Sequence, residues 1–138
     1  AHVEANKPLV AECGGMMACF DTLCTMDGTR HLGFGLLPGT TTMQRKLAGL
    51  GLLAVDLQEC LSEGRLTGHT FHYSTVETTL EPIAQAIKTT TGQPSEAIYR
   101  DRFLTASYMH FYFPSNPETT AGLFLGHRLK VHGGQLDH

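Results

Sequence analysis

Cys13 lies between an apolar extended run, Pro8-Leu9-Val10-Ala11, and an amphipathic run over residues 16–23. A cysteine at a sharp strand-to-helix turn is a nucleophile elbow. The small residues two before and two after it, Ala11 and Gly15, suit so tight a turn. The turn presents the sulfur at a helix N-terminus, where the macrodipole favours negative charge, and it aims the Gly14 amide at a developing oxyanion. One segment would thus supply a nucleophile, its activation and half of an oxyanion hole. The plain alternative is a packed, inert thiol, since free cysteine usually behaves as a small hydrophobe; Cys19, Cys24 and Cys60 are read in that way.

The elements that must position Cys13 follow from periodicity and punctuation. A short buried strand over 9–11 leads into a helix over 14–23 with Met16, Phe20 and Leu23 on one stripe. Residues 25–29 form a turn, and the glycines of 34–39 predict an irregular edge segment. Residues 50–57 form an apolar run, 66–76 an alternating strand, 81–88 a segment with helical character, and 89–94 a turn. The strand over 104–113 puts Tyr108, His110 and Tyr112 on one face and Met109, Phe111 and Phe113 on the other. Asn116 as N-cap, Pro117 in the first turn and a Ser115/Glu118 capping box predict a last helix with its body over 119–128. The whole is an open, largely parallel α/β sheet with Cys13 at the carboxyl end of a strand.

Composition narrows the function classes. With 138 residues, 41% hydrophobic and 17% charged, the chain is sized for one domain with a real core. A formal charge of -3 and ten scattered Lys and Arg offer no footprint for nucleic acid. The absence of a long apolar run or a signal-like start predicts a cytoplasmic protein with reduced thiols and no membrane partner. No metal is expected: His69 and His72 are three apart on a predicted strand and point to opposite faces, and His127, His132 and His138 match no ligand spacing.

Four segments in order carry a family resemblance: Ala11-Glu12-Cys13-Gly14-Gly15-Met16-Met17, Leu37-Pro38-Gly39, Gly68-His69-Thr70-Phe71-His72-Tyr73-Ser74, and Ala106-Ser107-Tyr108-Met109-His110 with Ser115-Asn116-Pro117. Over residues 8–125 the chain resembles the C-terminal glutamine amidotransferase domain of the cobyrinate and hydrogenobyrinate a,c-diamide synthases, which amidate corrin side chains in cobalamin biosynthesis. The resemblance implies a class I, flavodoxin-like fold in which Cys13 attacks the glutamine amide and His110 serves as general base and then acid. Where many class I glutaminases carry a glutamate two residues after the histidine, this chain has Tyr112. A Cys-His dyad with differently supplied orientation of His110 is therefore implied. Gly14 and Gly15 would serve the oxyanion, while His72 and Tyr73 belong to the family signature as either substrate contacts or strand packing.

The resemblance also implies a domain truncated at its N-terminal side, residues 1–138 being its C-terminal part. The earlier strands, a glycine-rich loop with the second oxyanion donor and the ATP-binding synthetase domain would then lie outside these residues. No phosphate-binding loop motif occurs in the chain, so no cofactor is expected here, and ATP and Mg²⁺ would belong to the parent enzyme. The partners would be glutamine and, through the synthetase domain, cobyrinate or hydrogenobyrinate, with self-association through an exposed sheet edge. Three other readings stand beside this one: a noncatalytic module that keeps the fold, a cobyric acid synthase-type amidotransferase, and a freestanding Cys-His hydrolase or deglycase-like enzyme.

Overall fold

The computed structural model describes residues 1–57, 64–125, 130–131 and 135–136. Strand β1 (Leu9–Glu12) runs through Cys13 into helix α1 (Gly14–Cys19). The helix is shorter than the sequence stripe implies: Phe20 turns extended at φ -72°, ψ 171°, and the chain continues as β2 (Phe20–Cys24). Phe20 is still fully buried, so the apolar stripe reports core contacts whose backbone is part helix and part strand.

A smaller sheet follows, built from β2, β3 (Arg30–Leu32), β4 (Leu37–Met43) and, later in the chain, β7 (Ser74–Glu77), in the order β3-β2-β4-β7. β4 holds the Leu37-Pro38-Gly39 segment predicted as an irregular edge, yet it lies between two neighbours. Its irregularity is absorbed by a register shift, with Phe20 opposite Leu37 and then Thr22 opposite Thr40, which passes over the proline and glycine.

The larger sheet adds β5 (Gly49–Asp56), β6 (Arg65–His72), β8 (Ala84–Lys88), β9 (Pro94–Asp101), β10 (Leu104–Ser107) and β11 (His110–Tyr112), in the order β1-β10-β9-β8-β5-β6-β11. The segment given helical character over 81–88 is strand β8 from Ala84 on, fixed by a turn at 89–93 and pairing with β9. Parallel pairing is confined to β1 with β10 here and β2 with β4 in the smaller sheet, so the largely parallel sheet expected from the sequence is not what forms. The cause is connection length. Strands β8 and β9 are joined by a short turn, and β9 and β10 by Arg102-Phe103 alone, with Arg102 at φ 55°. Such hairpins allow only antiparallel neighbours, whereas parallel ones need a long crossover. The α/β class stands, but with few helices and much antiparallel strand.

The run over 104–113 is not one strand. It breaks at Tyr108-Met109, leaving β10 beside one edge of the larger sheet and β11 at the other edge. The three steps from Ser107 to His110 reach at most about 11 Å, whereas five strand spacings in a flat sheet come to about 24 Å. The sheet must therefore curl until its edges approach. Glu12 of β1 accepts a hydrogen bond from the Phe111 amide of β11 at 2.6 Å across that closure. The curl encloses Leu53, Val55, Leu57, Leu66, Ala86, Ile98, Met109 and Phe111, with Leu123 contributed by helix α2 (Pro117–Phe124). A second cluster, with Ala11, Met16, Cys19, Phe20, Leu37, Leu104 and Tyr108, fastens the elbow between the two sheets.

Helix α2 begins as the sequence predicts, the Asn116 side chain accepting from the Thr119 amide at 3.1 Å. The expected capping box is otherwise engaged. Ser115 Oγ accepts from the Thr67 amide and donates to the Tyr112 carbonyl, tying the helix entrance to β6 and β11. The helix ends at Phe124, short of the expected Arg128. Cys60 and the three C-terminal histidines lie outside the residues whose side chains are described. No described helix is long and apolar enough to cross a membrane.

Candidate active site

Cys13 has φ 50° and ψ -113°, a left-handed backbone that a non-glycine residue adopts only under constraint. Two hydrogen bonds supply the constraint: its amide donates to the Ser107 carbonyl at 2.8 Å and its carbonyl accepts from the Met17 amide at 3.0 Å. The first bond extends the parallel β1/β10 ladder by one residue, and the second closes the first turn of α1. The sharp turn expected of an elbow is thus present. The steric requirement at Gly15 is milder than expected, because a Cβ there would stand 3.9 Å from Ala11 Cβ, in ordinary contact, and one at Gly14 would meet nothing within 4 Å. A methyl group fits at both glycines.

The thiol is half-buried and lies 4.0 Å from the Phe71 carbonyl of β6. His110 opens β11, directly opposite His69 of the same β6, and the two imidazoles stack with centroids 4.9 Å apart at 12°. Cys13 follows β1, His110 follows β10, and these two strands are parallel neighbours, with Glu12 opposite Ser107. Both residues therefore lie at the carboxyl ends of adjacent parallel strands, where α/β folds place their sites. The Glu12–Phe111 hydrogen bond joins the residue before Cys13 to the residue after His110.

His72 and Tyr73 are separated by the alternation of β6. Tyr73 is exposed and packs edge-on to Phe71 at 5.6 Å, on the face that carries His69. His72 is buried on the opposite face. Its Nδ1–H donates to the Ser74 carbonyl at 2.9 Å, and its Nε2 meets Glu96 Oε2 at 2.6 Å. Both partners are acceptors, so one proton lies between Nε2 and the carboxylate. Thr70 Oγ1 donates to the same Oε2 at 2.8 Å. Tyr108 stacks on the His72 ring at 3.6 Å and accepts from Ser74 Oγ at 2.8 Å, and Met17 Sδ lies 3.5 Å from that hydroxyl. Burial, more than any neighbouring charge, pushes the Tyr108 phenol up to about 12. Burial likewise raises the Cys19 thiol, in keeping with a packed, unreactive cysteine.

His72 therefore braces the site from behind, linking α1 through Met17 to the segment that carries His110 through Tyr108. Sequence reasoning passes over Glu96, and it names Glu12 and His69 only within the resembling segments, with His69 weighed besides as a metal ligand, giving none of the three a role at this site. Only the strand register reveals them, although the alternation of β6 already separates His69 from His72 as expected. A polar cleft of about 250 Å³ borders His72, Ser74, Glu96 and Tyr108, and a more apolar one of about 390 Å³ borders Leu52, Gly68, His69 and Tyr112. Among the described residues, no group of three or more His, Cys, Asp or Glu could hold a metal ion.

Residues 1–118 match the CobB/CobQ-like glutamine amidotransferase domain, and the chain belongs to that family. Among its relatives, the hydrogenobyrinate a,c-diamide synthase of Pseudomonas aeruginosa is 48% identical over 123 residues, which is 89% of this chain and 27% of that protein. The cobyrinate a,c-diamide synthase of Herminiimonas arsenicoxydans is 47% identical over 124 residues, 90% of this chain and 27% of that protein. The hydrogenobyrinate a,c-diamide synthase of Stutzerimonas stutzeri is 46% identical over 123 residues, 89% of this chain and 28% of that protein. The chain thus spans little more than a quarter of the length of the curated relatives it matches.

Proposed function

We propose that these residues form the glutaminase part of a cobyrinate or hydrogenobyrinate a,c-diamide synthase, with Cys13 as nucleophile and His110 as acid and base. The observation that carries this proposal is the strained elbow at Cys13 on a strand that runs parallel to the one leading into His110. Cys13 sulfur attacks the side-chain carbonyl carbon of glutamine, and the Gly14 amide, with Gly15 behind it, faces the resulting oxyanion. First-turn amides have no intrahelical acceptor and suit that task. His110, having taken the Cys13 thiol proton, passes it to the departing ammonia as the C–N bond breaks, leaving a thioester on Cys13. It then takes a proton from water, whose oxygen attacks the thioester and releases glutamate and the free cysteine. Glutamine and water are thereby converted to glutamate and ammonia.

Ammonia would then pass to a corrin carboxylate, which ATP with Mg²⁺ activates in a part of the protein beyond these residues, in a cytoplasmic enzyme. Residues 1–138 alone would turn over glutamine weakly, since loss of one oxyanion donor costs about a hundredfold or more. Self-association would use edge strand β3, where Leu32 is 93% exposed. The buried setting of His72 favours strand packing over substrate contact, whereas the exposed Tyr73 remains on the face of His69 for a substrate role. The test is Cys13→Ala in the full-length protein. Loss of glutamine-dependent amidation with ammonia-dependent amidation retained supports the proposal, and undiminished use of glutamine sinks it in favour of a noncatalytic module.

A further inference from the structure

His110 lacks the carboxylate that a residue two further along the strand could supply, because Tyr112 stands there and is 61% exposed. Among the described residues, no hydrogen bond or ion pair reaches the His110 ring, and what does hold it is the parallel stack on His69. An imidazole turns about a broad, roughly two-fold outer torsion, so an unsupported ring samples orientations in which neither nitrogen is aimed at its target. A second ring lying 12° from parallel, with centroids 4.9 Å apart, narrows that torsion by an offset contact along one face.

The position of His69 is itself fixed. It pairs directly with His110 in the β6/β11 ladder, flanked by the Gly68–Phe111 and Thr67–Tyr112 pairs, so the two Cβ atoms leave the same face together. The main chain beneath is anchored from the other side, where Glu12 accepts from the Phe111 amide. One element sets the height of His110 and another the plane of its ring.

We propose that His69 is the positioning residue for His110, orienting the imidazole by stacking where other class I enzymes would use a hydrogen-bonded carboxylate. This inference rests on His110 being the acid and base of the glutaminase reaction. His69 is exposed, so its replacement leaves the core unchanged, and the split between kcat and KM separates support of the His110 ring from direct contact with glutamine.

The test is glutamate release by the full-length protein carrying His69→Ala, His69→Phe or Cys13→Ala, with ammonia-dependent amidation as the control for folding. The expected result for His69→Ala is a kcat lowered by about tenfold or more with KM for glutamine within about threefold. His69→Phe, which keeps a flat ring without its nitrogens, should recover most of the lost kcat. An undiminished kcat in His69→Ala overturns the proposal. So does a His69→Phe variant as slow as His69→Ala, because stacking would then not be what matters. Failure of Cys13→Ala to stop glutamate release would refute the glutaminase assignment itself, a separate outcome from either of these.

Discussion

Gly68 lies opposite Phe111 in the β6/β11 pair, and its missing side chain is what lets His110 approach. A Cβ placed there would stand 2.9 Å from Met109 Cε and 3.0 Å from the His110 carbonyl carbon, with the carbonyl oxygen nearer still. The methionine tip can swing aside; the backbone carbonyl cannot. Restoring ordinary contact, which begins at 3.4 Å, requires β11 to move away from β6 by 0.4 Å at the carbon and by more at the oxygen. A displacement approaching 1 Å at a catalytic group costs up to about a hundredfold in rate, and a strained strand pair costs about 1–3 kcal/mol of stability. Gly68→Ala in the full-length protein should therefore lose glutamine-dependent turnover by about tenfold to a hundredfold. Folding should persist, as read by circular dichroism and a denaturant midpoint lowered without a change in slope. A variant with wild-type midpoint and glutamine turnover within twofold would show that the close approach of β6 to His110 is not needed, and the geometric reasoning would fail.

Removing the N-cap by Asn116→Ala should lower stability by about 1 kcal/mol in urea unfolding, since the Thr119 amide then loses its side-chain acceptor. His72→Ala leaves Glu96 nearly buried, at 14% side-chain exposure, with only Thr70 Oγ1 still donating to it, and removes the ring beneath Tyr108. A loss of about 3 kcal/mol is expected from the same measurement. The Tyr108 phenol is raised from 10 to about 12, so the folded state holds that proton more tightly than the unfolded chain. Stability from this group is complete below pH 10 and falls as pH rises through about 12. Phenolate absorbance should show a tyrosine titrating near 12 that disappears in Tyr108→Phe, while Tyr99, whose phenol burial also raises, is still present in that variant.

What the sequence made legible was local. The elbow around Cys13 and the Asn116 cap are short-range backbone devices with their own residue signatures, and the alternation of β6 correctly separated His69 from His72. What it hid depended on pairing between distant strands. Residues 104–113 alternate as one strand would, and nothing in them marks the break at Tyr108-Met109, because the break is imposed by curling of the larger sheet. The helical character given to 81–88 does not survive, because pairing of β8 with β5 and β9 decides the backbone there. Glu96 lies in a stretch the sequence left without an element, and only β9 and its register set it against the His72 ring. The same applies to His69, whose neighbour across the ladder is forty-one positions away in the chain, from 69 to 110.

The most direct measurement is intact mass and peptide mapping of the full-length protein after treatment with a glutamine-like diazoketone. The proposed chemistry predicts one added label, on Cys13, with labelling slowed by excess glutamine and absent in Cys13→Ala. Labelling of Cys19 or Cys24 in its place, or none at all in a protein that still amidates with ammonia, would contradict the assignment of Cys13 as the nucleophile.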